Sequence, residues 1–122
     1  MTYVDGFVLP LAKKHVAAYK RMATRAGKIW IEYGALDYRE CVGEDLNVKG
    51  MASFSKAAKA KTGETVIFAW ITYRSRAHRD KVMAKIMADP RMVPDACVPM
   101  DPKRMMYGGF EVLVDRKRPA KT

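Results

Sequence analysis

Three carboxylates stand among residues that belong in a core. Asp5 alternates with Tyr3, Phe7 and Leu9, Glu40 with Leu36 and Tyr38, and Glu111 with Tyr107 and Leu113. Residues two apart in an extended chain share a face, so each acid shares a side with a tyrosine and with apolar side chains. A carboxylate withdrawn from water has a raised pKa and becomes a usable general acid or base. Tyr3, Asp5, Tyr38, Glu40, Tyr107 and Glu111 are therefore candidate ligand-binding residues, provided the three faces form one side of one sheet. The structural alternative pairs these acids with Arg39, Lys103 or Arg104, or sets them at a wet rim. His15 is a further candidate, on the apolar side of a helix with Tyr19 one turn later, where an imidazole can act as base or ligand. No acid or nucleophile is placed beside it by spacing, and the simpler reading is a helix-boundary histidine satisfied by a carbonyl or by water. Catalytic residues are not assignable. Trp30, Trp70 and the nine methionines read as core and interface filler.

Periodicity marks the elements that must position these groups. Residues 2–9 read as a strand stopped by Pro10. Residues 11–33 read as an amphipathic helix, with its apolar residues in one arc of about 140° at 100° per residue. Gly27 is a place for that helix to bend or end, and Gly34 suits its C-terminal cap. Residues 35–43 read as a second strand. The stretch 44–63 is a polar, elaborated connection in which Met51, Phe54 and Ala58 suit a short helical turn. Residues 64–73 (Glu-Thr-Val-Ile-Phe-Ala-Trp-Ile-Thr-Tyr) are the strongest strand. Ser75 is a natural N-cap for a helix over 76–89, with Val82, Met83, Ile86 and Met87 turned inward. Pro94, Pro99 and Pro102 keep 90–103 irregular, and 105–114 is a fourth strand carrying Gly108 and Gly109. Residues 1–115 thus form a single domain, followed by a basic, disordered tail over 116–122.

The order β-α-β-β-α-β with right-handed crossovers gives an α+β, ferredoxin-like fold: a four-stranded antiparallel sheet with two helices on one face. Strand 64–73 is apolar on both sides, with Val66, Phe68, Trp70 and Thr72 opposite Ile67, Ala69, Ile71 and Tyr73. A sheet with one wet face alternates apolar with polar, so the second face needs a cover. The expected cover is another copy of the chain, giving a homodimer in which the sheets pack face to face or close into a barrel.

The 122 residues carry 23 Lys and Arg against 13 acids, a formal charge of +10. Six of the basic residues, Lys13, Lys14, Lys20, Arg21, Arg25 and Lys28, fall on the polar arc of the first helix, and four more lie in the tail. Such an arc reads first as a solvated face. The alternative is an RNA or DNA contact through these six residues and the tail, although the aromatic pattern of an RNA-recognition sheet is not evident. Two cysteines, Cys41 and Cys97, and two histidines, His15 and His78, without finger spacing give no metal site and read as groups of a reducing compartment. No phosphate loop, nucleophile elbow or dinucleotide fingerprint is present, and no cofactor is implied. There is no run of about 18 apolar residues and no signal-like start. The expectation is a cytoplasmic protein whose partners are itself and a small molecule, with no membrane.

Pro10-Leu11-Ala12-Lys13-Lys14, Glu32-Tyr33-Gly34-Ala35-Leu36, Glu40-Cys41-Val42-Gly43-Glu44-Asp45, Asp89-Pro90-Arg91-Met92 and Arg104-Met105-Met106-Tyr107-Gly108-Gly109-Phe110-Glu111-Val112 carry a specific likeness. Over residues 2 to 115 the chain resembles the YbaA-like family of small bacterial proteins, the domain of unknown function numbered 1428. The resemblance implies a dimeric ferredoxin-like α/β barrel and brings no activity or catalytic residues. Val42 stands where family members tend to have an aromatic side chain. Whether the chain is an enzyme stays open. The leading reading is a homodimer that binds a small, partly apolar ligand in a barrel cavity. The alternatives are nucleic-acid binding and a purely structural dimer.

Overall fold

A computed structural model describes residues 2–93 and 98–120. The strands are β1 (Tyr3–Ala12), β2 (Asp37–Val42), β3 (Glu64–Tyr73) and β4 (Met106–Glu111); the helices are α1 (Val16–Glu32), α2 (Phe54–Ala57) and α3 (Arg76–Ala88). The strands form one antiparallel sheet in the order β2-β3-β1-β4. This is the α+β arrangement that the element order requires, with β3 and β1 in the centre.

Two details differ from the expectation. First, β1 continues through Pro10 to Ala12, opposite Glu64 at the start of β3. The amide of Gly43 donates to the carbonyl of Val66 at 2.8 Å, so the backbone polar groups of Val66 face β2. Its partner Pro10 therefore occupies a non-hydrogen-bonded pair, and its nitrogen points toward β4, whose pairing has already ended at Val8 opposite Met106. A missing N–H costs nothing there. Second, Lys13–His15 form a 3-10 turn, and α1 starts only at Val16. It runs through Gly27 without ending. The short helical turn expected in the 44–63 connection forms as α2, capped by Ser53, whose hydroxyl accepts from the Lys56 amide. The Phe54 ring meets Phe68 edge-on with centroids 6.0 Å apart, and Phe68 alternates with the inward residues of β3, so α2 lies on the face opposite α1 and α3.

The two predicted caps form. The amide of Ala35 donates to the Trp30 carbonyl and that of Gly34 to the Ile31 carbonyl, a Schellman ending with Gly34 at φ 109°. Ser75 accepts from the His78 amide at the start of α3. Under the two long helices the core forms two clusters. One holds Tyr3, Ile29, Trp30, Ile71, Tyr73, Val82 and Ile86; the other holds Leu9, Leu11, Tyr19, Ala23, Ile67, Ala69 and Val98, with Phe7 packed against both. Residues 112–120 contain no regular element; the last two residues of the expected tail and Cys97 lie outside the described residues.

Arg104, just before β4, is the hub that ties the ends of the sheet together. Its guanidinium meets both oxygens of Glu64 at 2.7 and 3.0 Å, Asp101 Oδ2 at 2.8 Å and the Lys59 carbonyl at 3.0 Å. These bonds hold the Glu64 carboxyl down from its ordinary 4.5 to about 2, the Arg104 hydrogen bonds first and the Lys61 amide second. A depressed carboxyl stabilises the fold above its unfolded pKa, and the contribution fades as pH falls through the folded value. Arg104→Ala is expected to cost about 1–2 kcal/mol at pH 7 in urea unfolding. The gap from the parent protein should be flat above pH 5 and shrink between pH 4.5 and 2; a gap that widened with acid would contradict this assignment.

Candidate functional site

The registers place Tyr3, Asp5, Tyr107 and Glu111 on one side of the sheet, because Tyr3 is opposite Glu111 and Phe7 opposite Tyr107. Tyr38 and Glu40 lie on the same side, opposite Ile71 and Ala69 of β3. All six candidates therefore share a face. It is the face that α1 and α3 cover, and not the one left open for a second copy. They do not form one site. Glu111 is exposed at the edge with no ion pair among the described residues. The other acids take different partners from those expected, since Arg104 is engaged by Glu64 and Asp101, and the Arg39 guanidinium lies 5.6 Å from the Trp70 ring centroid on the open face.

Asp5 is fully buried, and its partner comes from α3. Arg79 Nη1 donates to Asp5 Oδ1 at 2.6 Å and to the Tyr107 hydroxyl at 2.7 Å, while that hydroxyl donates to Asp5 Oδ1 at 3.1 Å. The guanidinium carbon sits 5.0 Å from the centroid of the Tyr3 ring. Tyr3 reaches this place by lying across Gly109, where a side chain would collide with it. Burial alone would lower the Arg79 pKa; the bond to Asp80 and the charge of Asp5 outweigh it and raise the value. Among the described residues, Asp5 Oδ2 and the Tyr73 hydroxyl are buried without a hydrogen-bond partner. Burial first, and then the nearby Asp5 charge, push the Tyr73 hydroxyl far above its usual value. The Arg79 side chain retains only 12% of its exposure and Asp5 none, while Tyr107 keeps about half of its own at the edge of the group.

Glu40 is placed differently. Tyr19, sent down from α1, donates to Oε1 at 2.5 Å, and Tyr38, its neighbour two along β2, donates to Oε2 at 2.6 Å. Burial first, and then the Glu40 charge, push both hydroxyls far above the ordinary tyrosine range. Gly27 makes the arrangement possible: a Cβ there would come 2.7 Å from the Tyr38 ring, so only glycine lets α1 approach that closely. The three polar groups form a wall between two apolar spaces. Outside, between α1 and β2, is an open cavity of about 610 Å³ whose lining includes Ala23, Gly27, Ile67 and Val42, with Lys20 and Lys28 on it. Inside is a narrower space of about 200 Å³ lined by Phe7, Met22, Trp30, Met92 and Met105. Each carboxylate oxygen uses one of its acceptor positions on a tyrosine and keeps another. The arrangement can therefore accept a hydrogen bond from a molecule seated in apolar surroundings.

His15 ends the 3-10 turn, half-buried, and takes no part in either group. Lys13 and Lys14, expected on the helix, lie in the 3-10 turn that precedes it, and Lys20, Arg21, Arg25 and Lys28 lie on α1; all six are exposed. Arg79 and Tyr19 are the residues that sequence reasoning missed as site groups. The signal was present: Arg79 precedes Val82, Met83 and Ile86 by three, four and seven positions, which is the inward stripe of α3. Among the described residues, no cluster of His, Cys, Asp or Glu is arranged to hold a metal, and no helix is long and apolar enough to cross a membrane.

Removing one member of a buried ion pair leaves the other charged and unsolvated. Arg79→Met is accordingly expected to cost about 3–5 kcal/mol in denaturant unfolding, and the double variant Asp5→Leu/Arg79→Met much less. Additive losses would show that the pair is not coupled.

The chain is similar to bacterial proteins over nearly its whole length. A family model described as "Protein of unknown function (DUF1428)" matches residues 2–102. The "Uncharacterized protein YbaA" of Escherichia coli (strain K12) is 42% identical over 116 residues, covering 94% of this chain and 99% of that protein. YbaA of Shigella flexneri matches with the same figures, 42% over 116 residues, 94% and 99%. Two solved structures share the fold. Rv0793 from Mycobacterium tuberculosis superposes with a TM-score of 0.58 at 12% identity, over 96% of this chain and 100% of that one. An uncharacterised NIPSNAP domain protein from Burkholderia xenovorans gives 0.50 at 11%, over 95% and 99%. With the ferredoxin-like architecture established by its topology and by these neighbours, and with the matched model spanning most of its length, the chain belongs to the DUF1428 family.

Proposed function

We propose that the protein is a homodimer that binds one small, partly apolar molecule per protomer at Glu40. The observation that carries the ligand reading is the Tyr19–Glu40–Tyr38 group standing between an open and an inner apolar cavity. A ligand pocket combines an apolar lining with a few convergent polar groups that fix orientation, and the space around Glu40 has both. The complementary ligand has a ring-sized apolar body and one hydroxyl or amine that donates to the carboxylate.

The dimer reading rests on the opposite face. There Val4, Val8, Phe68, Trp70, Met106 and Phe110 line a concavity of about 940 Å³, with Phe68, Met106 and Phe110 at 43%, 40% and 62% exposure. Gly6 and Gly108, paired across β1 and β4, leave room for the Phe110 ring above them. The charged residues lining this concavity are Asp37 and Asp115 against Lys117, with Arg39 already over Trp70. Such a face has little to attract a phosphate backbone, which favours a self-complementary apolar contact over nucleic acid.

Two measurements test these readings. Light scattering after gel filtration should give twice 13.8 kDa for the parent protein and 13.8 kDa for Phe110→Asp; a monomeric parent overturns the dimer. Titration of ¹⁵N-labelled protein with benzylamine or phenol should give saturable shifts at Gly27, Tyr38 and Glu40. Toluene, which lacks a donor, and the Glu40→Gln variant should bind about tenfold more weakly or worse. Equal binding of toluene, or shifts confined to the open sheet face, would remove the assignment to Glu40.

A further inference from the structure

A second cavity, away from Glu40, carries charge of one sign. Residues 74–85 include five Lys and Arg against the single acid Asp80. Two of the cations are placed apart from the rest: Arg79 turns inward to Asp5 and Asp80, and Arg76 does not line the cavity. Arg74, Lys81 and Lys85 converge with His78 on a concavity of about 540 Å³ bounded by the turn at Tyr33 and Gly34. His78, Lys81 and Lys85 are three and four positions apart on α3, so they share one side of the helix. No acid lines the cavity.

The three cations have no counter-charge among the described residues. Among the described residues, the side chains of Arg74, Lys81 and Lys85 make no ion pair. The carboxylates of the adjoining segments are occupied elsewhere, Asp80 by Arg79, and Glu32 and Asp89 by Arg91. The first turn of α3 also contains no acid. Convergence shows at His78, whose pKa is lowered first by burial and then by the charges of Arg74, Lys81 and Lys85. Its Nδ1 accepts from the Arg74 amide at 3.0 Å, which holds the ring in the neutral form with Nε2 protonated and directed past Gly34. The other groups around it are the Tyr73 ring, edge-on at 5.9 Å, and Val82. Like charges gathered in a concavity repel one another and focus a positive potential. That repulsion is relieved when an anion enters.

We propose that the cavity formed by Arg74, His78, Lys81 and Lys85 is a binding site for the phosphate group of a small phosphorylated molecule. A guanidinium offers paired donors to phosphate oxygens, and two ammonium groups supply mobile point charges. The volume exceeds what a single phosphate group fills, so the remainder of the molecule has room beside Gly34. The site is separate from the Glu40 cavity, and its occupancy does not depend on the function proposed for that cavity.

The test is a titration of the ¹⁵N-labelled full chain with sodium phosphate at pH 7, with sodium chloride adjusted to keep ionic strength constant. Saturable shifts are expected at Arg74, Ser75, His78, Lys81 and Lys85. Lys81→Gln/Lys85→Gln and Arg74→Ala should each weaken phosphate binding about tenfold or more. In low salt without phosphate, the lysine variant should melt no lower than the parent, because it removes repulsion and no partner. Citrate serves as the carboxylate comparison and should bind more weakly than phosphate. The proposal is overturned by shifts that track ionic strength without saturating, by equal shifts along the basic face of α1, by citrate binding as well as phosphate, or by variants that bind as the parent does.

Discussion

Each long helix sends one polar side chain down to a carboxylate on the sheet beneath it. Arg79 of α3 meets Asp5 of β1, and Tyr19 of α1 meets Glu40 of β2. A carboxylate on a covered face loses its hydration, and only a donor from the covering layer can replace it. The apolar contacts between the layers, Ile71 and Tyr73 with Val82 and Ile86, or Ile67 and Ala69 with Tyr19 and Ala23, supply area without direction. Hydrogen bonds at 2.5 and 2.6 Å supply direction. The glycines follow from the same demand: Gly27 lets α1 come down close enough to pass over Tyr38, and Gly109 lets Tyr3 lie beneath the Arg79 guanidinium.

The two contacts resemble each other in plan and differ in access. Asp5 has no exposure, its main partner carries a full charge, and the Tyr3 ring lies against that guanidinium. Neutralised and buried, Asp5 is a structural joint. Glu40 is met by two neutral hydroxyls and borders open space on one side and an inner void on the other. The distinction between a joint and a site therefore lies in the partners and the adjoining volume, and not in the buried acid itself.

Much of this could be read from residue spacing. Alternation in β1, β2 and β4 placed the tyrosines and acids on shared faces, and the registers bring those faces to one side of the sheet. Alternation does not say which side the helices take, because β3 is apolar on both. The positions of α1 and α3 are what set the acids apart from the open face. Pro10 is a strand stop by its missing donor alone, but whether that donor is needed depends on where β4 stops, a property of the whole sheet. Arg79 lay on the inward stripe of α3, but the composition of that helix, rich in Arg and Lys, hid it among solvated neighbours. The cationic cavity was hidden in another way, since a net charge sums residues without asking which of them converge.

Period-two alternation also links ligand chemistry to assembly. A strand that assigns its polar side chains to the helix-covered face leaves the other face to apolar ones. Thus Asp5 and Glu40 beneath the helices have Val4, Gly6, Phe68 and Trp70 as their counterparts on the open side. Helix α2 covers only the end near Phe68, through Phe54. The centre, where Phe110 lies across Gly6 and Gly108, is left without cover by any described residue. An apolar face of this kind is satisfied by a surface of similar character, and a two-fold contact supplies one from the same sequence. The residues proposed to hold a small molecule beneath the helices and those proposed to meet a second subunit on the outside are then alternate members of the same strands, and a one-residue slip in either pairing would exchange them.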